Sequence, residues 1–544
     1  MKAANLLVKC LEAEGVRYVF GVSGEEVMDI LEALRTSSIE FIPTRHEQGA
    51  AFMANVVGRL TGNPGVCLAT LGPGATNLTT GIADATLDHA PLVAITGQAN
   101  LKKTYKESKQ YVDVVRHFMP ITKWNARVEK GVFIPEMVKK AFRIAQTEKP
   151  GACHLEVPSD VSKEEVEGSP LPVTPISYSY PDESSIKLSA QIINQSRRPI
   201  ILAGNGVVRG EASNELRKFV TSTNIPVTHT FMSMGCMPGD SDLCLLSSGM
   251  QFHDYIACGF DRADLVITVG YDFNEYEPEL WNRDGKKKIV HIDLLPGEVD
   301  FHYTPTVEVI GDIKKSLSLL SGLVKKKTDI ALVQTLRRHI LEEFKEYAAD
   351  DGFPLKPQRI MYDLNKVMRR DDILVSDVGA HMIWVARMYQ AFEPKTVLIS
   401  FGYATMGFGI PAAIAAKLIN PQKRVLAVCG DGGFMMTSME LETACRINTP
   451  FVTVIFNDNG FGLIKWRQIN EFGIDFGVSL RNPDFVKYAE SFGMKGYRIK
   501  KASELVPALK EALNQDIPTL IDVPVDYTEN LKLTEKYGNL ICPV

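Results

Sequence analysis

Two aspartates, each followed closely by glycine, are the residues most suited to chemistry. Gly430-Asp431-Gly432-Gly433-Phe434 is followed, 27 positions after its aspartate, by Asp458 in Asn457-Asp458-Asn459-Gly460. Each acid comes just after an apolar run that reads as a strand, Arg424–Cys429 and Phe451–Phe456. In open parallel sheets the carboxyl ends of strands border the crevice where ligands bind, so two such acids can converge on one hard cation. Mg²⁺ suits that arrangement, because it takes a few carboxylate or carbonyl oxygens and completes its shell with substrate phosphates. Glycines at 432 and 433 let the backbone approach a diphosphate closely and donate N–H groups to it. Asp-Gly alone reads better as an ordinary turn; it is the pair that favours a metal.

The elements that must hold these acids follow a repeating rhythm. Val16–Phe20, Phe41–Pro43, Val66–Thr70 and Leu92–Thr96 read as strands, with helical patterns at Glu25–Leu34, Glu47–Leu60 and Ala75–Leu87 between them. A Pro- and Ser-rich stretch, roughly 162 to 185, reads as a linker. Alternation resumes with Pro199–Ala203, Leu265–Val269 and Lys288–Ile292, then yields to a charged helical stretch, Lys325–Ala348. A third block begins near Pro357, with Ile373–Ser376, Val397–Ile399 and Thr519–Val523 as further strands. This predicts an α/β chain of three doubly wound parallel-sheet domains, residues 1–165, 186–345 and 356–544. The first and third share a rhythm rather than residues.

A chain of 544 residues exceeds what one core supports. Its formal charge of -5 has no concentrated basic face, which argues against a nucleic-acid partner. No apolar stretch approaches the ~20 residues that span a bilayer, so no membrane role is expected. Lys9, Glu12 and Glu14 interrupt the N-terminus, which reads as a helix ended at Gly15 rather than a signal peptide. The nine cysteines are scattered, and Cys67, Cys153 and Cys429 sit in strand-like apolar surroundings. A reducing cytoplasm fits that usage; a disulfide framework does not.

The stretch GDGGFMMTSMELETACRINTPFVTVIFNDNG resembles the cofactor-binding signature of thiamine-diphosphate enzymes. The resemblance implies Mg²⁺ held by Asp431, the side chain of Asp458 and the carbonyl of Gly460, with Gly432, Gly433 and Asn459 around the diphosphate. Many members carry Asn where this chain has Asp458, so this site would hold one more negative charge. SDVGAHMIW is similar to the segment that meets the diphosphate, with Gly379 and His381 in matching positions. GYATMGFGIPAAIAAKL resembles the segment under the pyrimidine ring. That implies Met406 propping the cofactor and the carbonyl of Ala404 accepting from its amino group; on its own Met406 reads as core filler. PTRHEQGAAFMA places Glu47 where the family keeps a carboxylate against the pyrimidine. General acid–base positioning of that kind is worth ~10²–10⁴ in rate. Read without the family, Glu47 is a first-turn acid favouring the helix dipole, and its substitution would be mild. The resemblance also implies a homodimer or homotetramer whose active sites lie between a pyrimidine-binding first domain and a partner's diphosphate-binding third domain.

Three further stretches narrow the substrate. GPGATNLTTGIADATLDHAPLVAITGQ, residues 72–98, resembles acetolactate synthases, and KESKQYVDVVRHFMPITKWN places Gln110 at their substrate-side glutamine. Lys109 stands where biosynthetic members carry an aromatic residue; read plainly, Lys109 and Gln110 are a solvated helix face. LVITVGYDFNEYEPELWN is similar to the catabolic, flavin-free members, and no Gly-x-Gly-x-x-Gly run occurs, so FAD is not expected. His46 is expected to border the substrate pocket. Arg467 either pairs with the carboxylate of a 2-oxo acid or is, together with Lys465, a surface charge. The implied reaction decarboxylates pyruvate and joins the two-carbon remainder to a second pyruvate, giving 2-acetolactate. A simple 2-oxo acid decarboxylase releasing an aldehyde, an FAD-dependent pyruvate oxidase and a non-enzymatic paralogue are the alternatives.

Overall fold

The computed structural model describes residues 1–249, 253–538, 540 and 542. It contains three six-stranded sheets, and every strand pair within them is parallel. The first is built from β1 (Tyr18–Gly21), β2 (Glu40–Pro43), β3 (Gly65–Ala69), β4 (Leu92–Gln98), β5 (Trp124–Arg127) and β6 (Ala152–Pro158). The second contains β7 (Pro199–Ala203), β8 (Val227–His229), β9 (Cys244–Ser247), β10 (Leu265–Val269), β11 (Lys288–Asp293) and β12 (Val307–Ile310). The third contains β13 (Ile373–Ser376), β14 (Val397–Ile399), β15 (Val425–Gly430), β16 (Val452–Asn457), β17 (Lys495–Arg498) and β18 (Thr519–Pro524).

The first sheet runs β2-β1-β3-β4-β6-β5 and the third β14-β13-β15-β16-β18-β17, which is the same order. The shared rhythm of the two blocks is therefore a shared topology. Their order reverses between β1 and β3 and between β13 and β15, and such reversal points open a crevice at the carboxyl ends of the strands. The second sheet runs β12-β11-β10-β7-β8-β9, the order of dinucleotide-binding doubly wound domains, with its reversal between β7 and β10. Central strands such as β3, β4, β7 and β10 are buried along their whole length, as strands covered on both faces must be.

The chain divides into two compact units. The first comprises residues 1–177 together with 402–422 and 435–450, two excursions from the third sequence block. Here helix Gly409–Ile419, rich in alanine, packs on helix Glu47–Thr61, and Phe408 meets Phe52 edge to face at 5.8 Å. Small side chains let the two helices approach closely, so little separates their backbones. The N-terminal helix, Ala3–Ala13, lays Leu6, Leu7, Cys10 and Leu11 into the core beneath β1, β3 and β4. Gly15 follows it with φ of 81°, a left-handed turn that glycine adopts without steric cost.

The second unit comprises residues 178–401, 423–434 and 451–544, and holds the other two sheets. Inside it Arg387 is buried between Asp254, at 3.2 Å, and Glu343, at 2.6 Å. Among the cysteines, Cys258 and Cys542 form a disulfide; this one pair departs from the expectation of thiols throughout. Cys10, Cys67, Cys153, Cys236, Cys244 and Cys429 are buried free thiols. Among the described residues no helix is long and apolar enough to cross a membrane.

Three expected elements differ in detail. Ala75–Leu87 is two helices, Pro73–Asn77 and Thr79–Leu87, and Glu25–Leu34 is a 3₁₀ turn leading into Met28–Arg35. Lys109 and Gln110 form a turn rather than a helix face, with Gln110 at φ of 60°.

Candidate active site

In the second unit, the acids of the metal motif stand at the ends of two adjacent central strands. Asp431 follows β15 at the point where the strand order reverses, and Asp458 follows β16. Asp431 is completely buried. Its Oδ1 accepts from the Gly432 N–H at 2.9 Å, and its Oδ2 from the Gly460 N–H at 3.2 Å and the Asn482 amide at 2.6 Å. Burial raises the Asp431 carboxyl above the usual carboxylate range. Asp458 is pushed up to about 7, first by burial and then by the charge of Asp431. Two carboxylates forced together away from water are a destabilising pair unless a cation lies between them. This charge arrangement fits a divalent metal.

The surrounding backbone fits a diphosphate. A Cβ at Gly433 would stand 2.6 Å from Asp377 Oδ2, and one at Gly432 would stand 2.8 Å from the Phe461 ring. Only glycine fits at either place. Asn459 sits at φ of 54°, and its carbonyl accepts from Leu480 N–H at 2.7 Å, which pins the loop carrying Gly460. Gly379 and His381 come just after β13, on the other side of the reversal point. His381 is buried, its imidazole is pushed down to about 4 by that burial, and Nε2 lies 2.9 Å from the Asp377 carbonyl. A neutral ring donating there braces the turn; it brings no positive charge to the diphosphate. Its Cε1 would be 2.8 Å from a Cβ at Gly379, so the glycine makes room for the ring.

Beside Asp458 lies a cavity of about 270 Å³, with Gly462, Lys465, Trp466 and Tyr527 among its walls. Lys465 thus faces the cavity and favours the charged form of Asp458. Arg467 is exposed on the same helix, Gly462–Phe472, and is not among the cavity walls.

In the first unit, Glu47 is the first residue of helix Glu47–Thr61 and is 7% exposed. The chain entering that helix is fixed by Glu440, which is fully buried and accepts from the Arg45 and His46 N–H groups, each at 3.0 Å. Burial raises the Glu440 carboxyl, and the hydroxyl of Thr443 at 2.6 Å helps hold it. His46 caps the helix, its Nδ1 accepting from the Gln48 N–H at 3.1 Å. Asn77 donates to Glu47 Oε2 at 2.9 Å. The turn bearing Ala404 and Met406 is tied at both ends: Gly402 N–H donates to Asp88 at 2.6 Å and Thr437 donates to the Gly407 carbonyl at 2.7 Å. Ala404 is exposed with φ of 53°, a conformation unusual for a residue with a Cβ and found where backbone strain serves a function. Gln110 lies on an exposed turn whose carbonyl packs over Gly72.

Sequence reasoning did not single out Asn77, Glu440 or Asn482. Asn77 lies inside a stretch quoted for its resemblance, but an asparagine at a helix end gives no separate signal. Asn482 precedes Pro483 and reads as an ordinary turn.

Three segments of the chain match models of thiamine pyrophosphate enzymes: the N-terminal TPP binding domain over residues 1–117, the central domain over 186–320 and the C-terminal TPP binding domain over 377–523. The fold is therefore that of a thiamine-diphosphate enzyme. Acetolactate synthase of Bacillus subtilis (strain 168) is 34% identical over 99% of this chain and 97% of its own length. The catabolic acetolactate synthase of Raoultella terrigena is 36% identical over 97% of this chain and 95% of its own. A probable acetolactate synthase large subunit of Methanocaldococcus jannaschii is 37% identical over 99% and 94%. The chain belongs to the acetolactate synthase family of thiamine pyrophosphate enzymes.

Proposed function

We propose that this chain is a Mg²⁺-dependent acetolactate synthase, making 2-acetolactate and carbon dioxide from two molecules of pyruvate. The observation that carries the proposal is the pair Asp431 and Asp458. Asp431 is buried and Asp458 partly buried at adjacent strand ends, and burial together with the charge of Asp431 pushes Asp458 up to about 7, in a chain similar along its whole length to acetolactate synthases.

Bound here, thiamine diphosphate supplies an acidic carbon and an electron sink for decarboxylation. Asp431, Asp458 and the Gly460 carbonyl would hold Mg²⁺, and Gly432, Gly433, Gly379 and Asn459 would line the diphosphate, with His381 bracing the turn at 379. Glu47 would hold a proton at the aminopyrimidine ring nitrogen, and the Ala404 carbonyl would accept from its amino group. Met406 would support the bent cofactor from beneath. Gln110 and His46 would orient a 2-oxo acid. Lys465, rather than Arg467, is the cation facing the cavity beside Asp458.

The second sheet supports the expectation that FAD is not used. At its reversal point the Gly206 N–H donates to the Gly270 carbonyl at 2.8 Å, and a Cβ at Gly204 would be 2.3 Å from that same oxygen. The Glu275 carboxylate, 3% exposed, accepts from the Asn205 N–H at 3.1 Å. A carboxylate thus occupies the strand-end position where a dinucleotide-binding domain offers its N–H groups to a pyrophosphate. The active assembly is proposed to be a homodimer or homotetramer with sites between subunits, working in the cytoplasm.

The test is product identification after incubating the purified chain with pyruvate, Mg²⁺ and thiamine diphosphate, with and without FAD. Acetolactate in equal yield under both conditions is expected. Acetaldehyde alone overturns the proposal in favour of a simple decarboxylase, and oxygen consumption dependent on FAD favours an oxidase.

A further inference from the structure

We infer that Asn77 is a positioning residue for Glu47, fixing which of its two carboxylate oxygens faces the cofactor; this rests on the role proposed for Glu47 above. Asn77 ends helix Pro73–Asn77, and its amide donates to Glu47 Oε2 at 2.9 Å. The other oxygen, Oε1, lies over Gly74, where a Cβ would stand 3.2 Å from it and 2.8 Å from the Thr70 methyl. Among the described residues no donor reaches Oε1. One oxygen is therefore tied and the other left available.

The backbone beneath Glu47 is already fixed by the bonds from Arg45 and His46 to Glu440. A Cβ at Gly49 would be 2.7 Å from Glu440 Oε1, so the helix start and that carboxylate fit closely. What remains free is rotation within the glutamate side chain, and the bond from Asn77 removes it. A hydrogen bond to an ionised acceptor is among the stronger ones. A reacting group misplaced by about 1 Å loses on the order of 10²-fold in rate.

The test compares Asn77→Asp and Asn77→Ala in the holoenzyme with Glu47→Gln in parallel. Asp matches Asn in shape but cannot donate when ionised and sets a like charge against Glu47. Both Asn77 variants are expected to lose about 10- to 100-fold in kcat, with pyruvate KM and thiamine-diphosphate Kd within about twofold of the parent. Asp is expected to perform no better than Ala. Crystal structures of the two variants without cofactor are expected to show the Glu47 carboxylate displaced. Adding Asn77→Ala to Glu47→Gln should cost nothing further, because both act on one interaction.

A space-filling role for Asn77 gives the opposite ranking, with Asp near the parent and Ala impaired, and that result overturns the inference. Should one variant fail to fold, the other together with Asn77→Ser, which keeps a donor of shorter reach, decides the ranking. Full turnover by Glu47→Gln would remove the functional reading itself. Loss in Glu47→Gln with full turnover in Asn77→Asp would remove only the inference about Asn77.

Discussion

Replacing Asp458 by Asn is expected to stabilise the cofactor-free protein, and increasingly so as pH rises. The folded carboxyl titrates at about 7, against 3.8 for an ordinary aspartate, because it is buried beside Asp431. The unfolded chain ionises this group near 3.8 while the folded chain keeps its proton until about 7. Stability attached to this group is therefore full below 3.8 and lost as pH climbs through 7. One pKa unit corresponds to about 1.4 kcal/mol, so the loss is on the order of 2 kcal/mol at pH 5 and about 4 kcal/mol at pH 8. An amide at 458 keeps the shape and has no such loss. Other groups titrate over this range, but the difference between parent and variant at each pH cancels them. Melting temperatures of both proteins, without cofactor, should diverge by a few degrees more at pH 8 than at pH 5. Mg²⁺ and thiamine diphosphate should stabilise both proteins, since many members of the family carry Asn at this position, and should narrow the pH-dependent gap by placing a cation between the two carboxylates of the parent. A difference independent of pH would refute the reasoning that these two carboxylates repel each other in a water-poor site.

Two other substitutions follow from single contacts. Gly433→Ala would place a methyl group 2.6 Å from Asp377 Oδ2; the crowding is expected to cost about 1–3 kcal/mol of stability, read as a fall in the melting temperature of the cofactor-free protein, and to raise the thiamine-diphosphate Kd measured by titration calorimetry. Arg387→Met would leave Asp254 and Glu343 as buried carboxylates without their shared cation; a loss of about 3–5 kcal/mol is expected, read as a fall in the thermal and denaturant midpoints.

Most strands legible from sequence lie inside their sheets, although the outermost β2 and β14 were legible too. β7, β10 and β13 coincide with apolar runs broken by at most one hydroxyl residue, since central positions in a parallel sheet demand little else. Those not recognised were largely at sheet edges. β5, β9, β12 and β17 are outermost strands, and β5 and β17, which read Trp-Asn-Ala-Arg and Lys-Gly-Tyr-Arg, are only half-buried. An edge strand is covered on fewer sides, so its sequence carries no continuous apolar signal. β6 was obscured for a different reason: His154 and Glu156 lie fully buried within it, and their partners Thr96 and Gln98 come from β4.

The same distinction governs the site. Glu47, Asp431 and Asp458 stand in local motifs, so residue type and spacing reveal them. Asn482 meets Asp431 from 51 residues away, and Glu440 meets His46 from 394 away. Those contacts depend on tertiary folding, and a lone asparagine in a turn or an acid in a helix has no spacing to betray it. The charge state of His381 was equally invisible, because burial sets it rather than its neighbours in sequence.

The central claim is that Glu47 and the two aspartates serve one thiamine-diphosphate molecule. A crystal structure of the protein soaked with thiamine diphosphate and Mn²⁺, a heavier stand-in for Mg²⁺, tests it most directly. The expected result is anomalous scattering from an ion touching both Asp431 and Asp458, with a Glu47 carboxylate hydrogen-bonded to the cofactor's pyrimidine ring. An ion elsewhere, or a pyrimidine ring with no Glu47 beside it, would contradict the account.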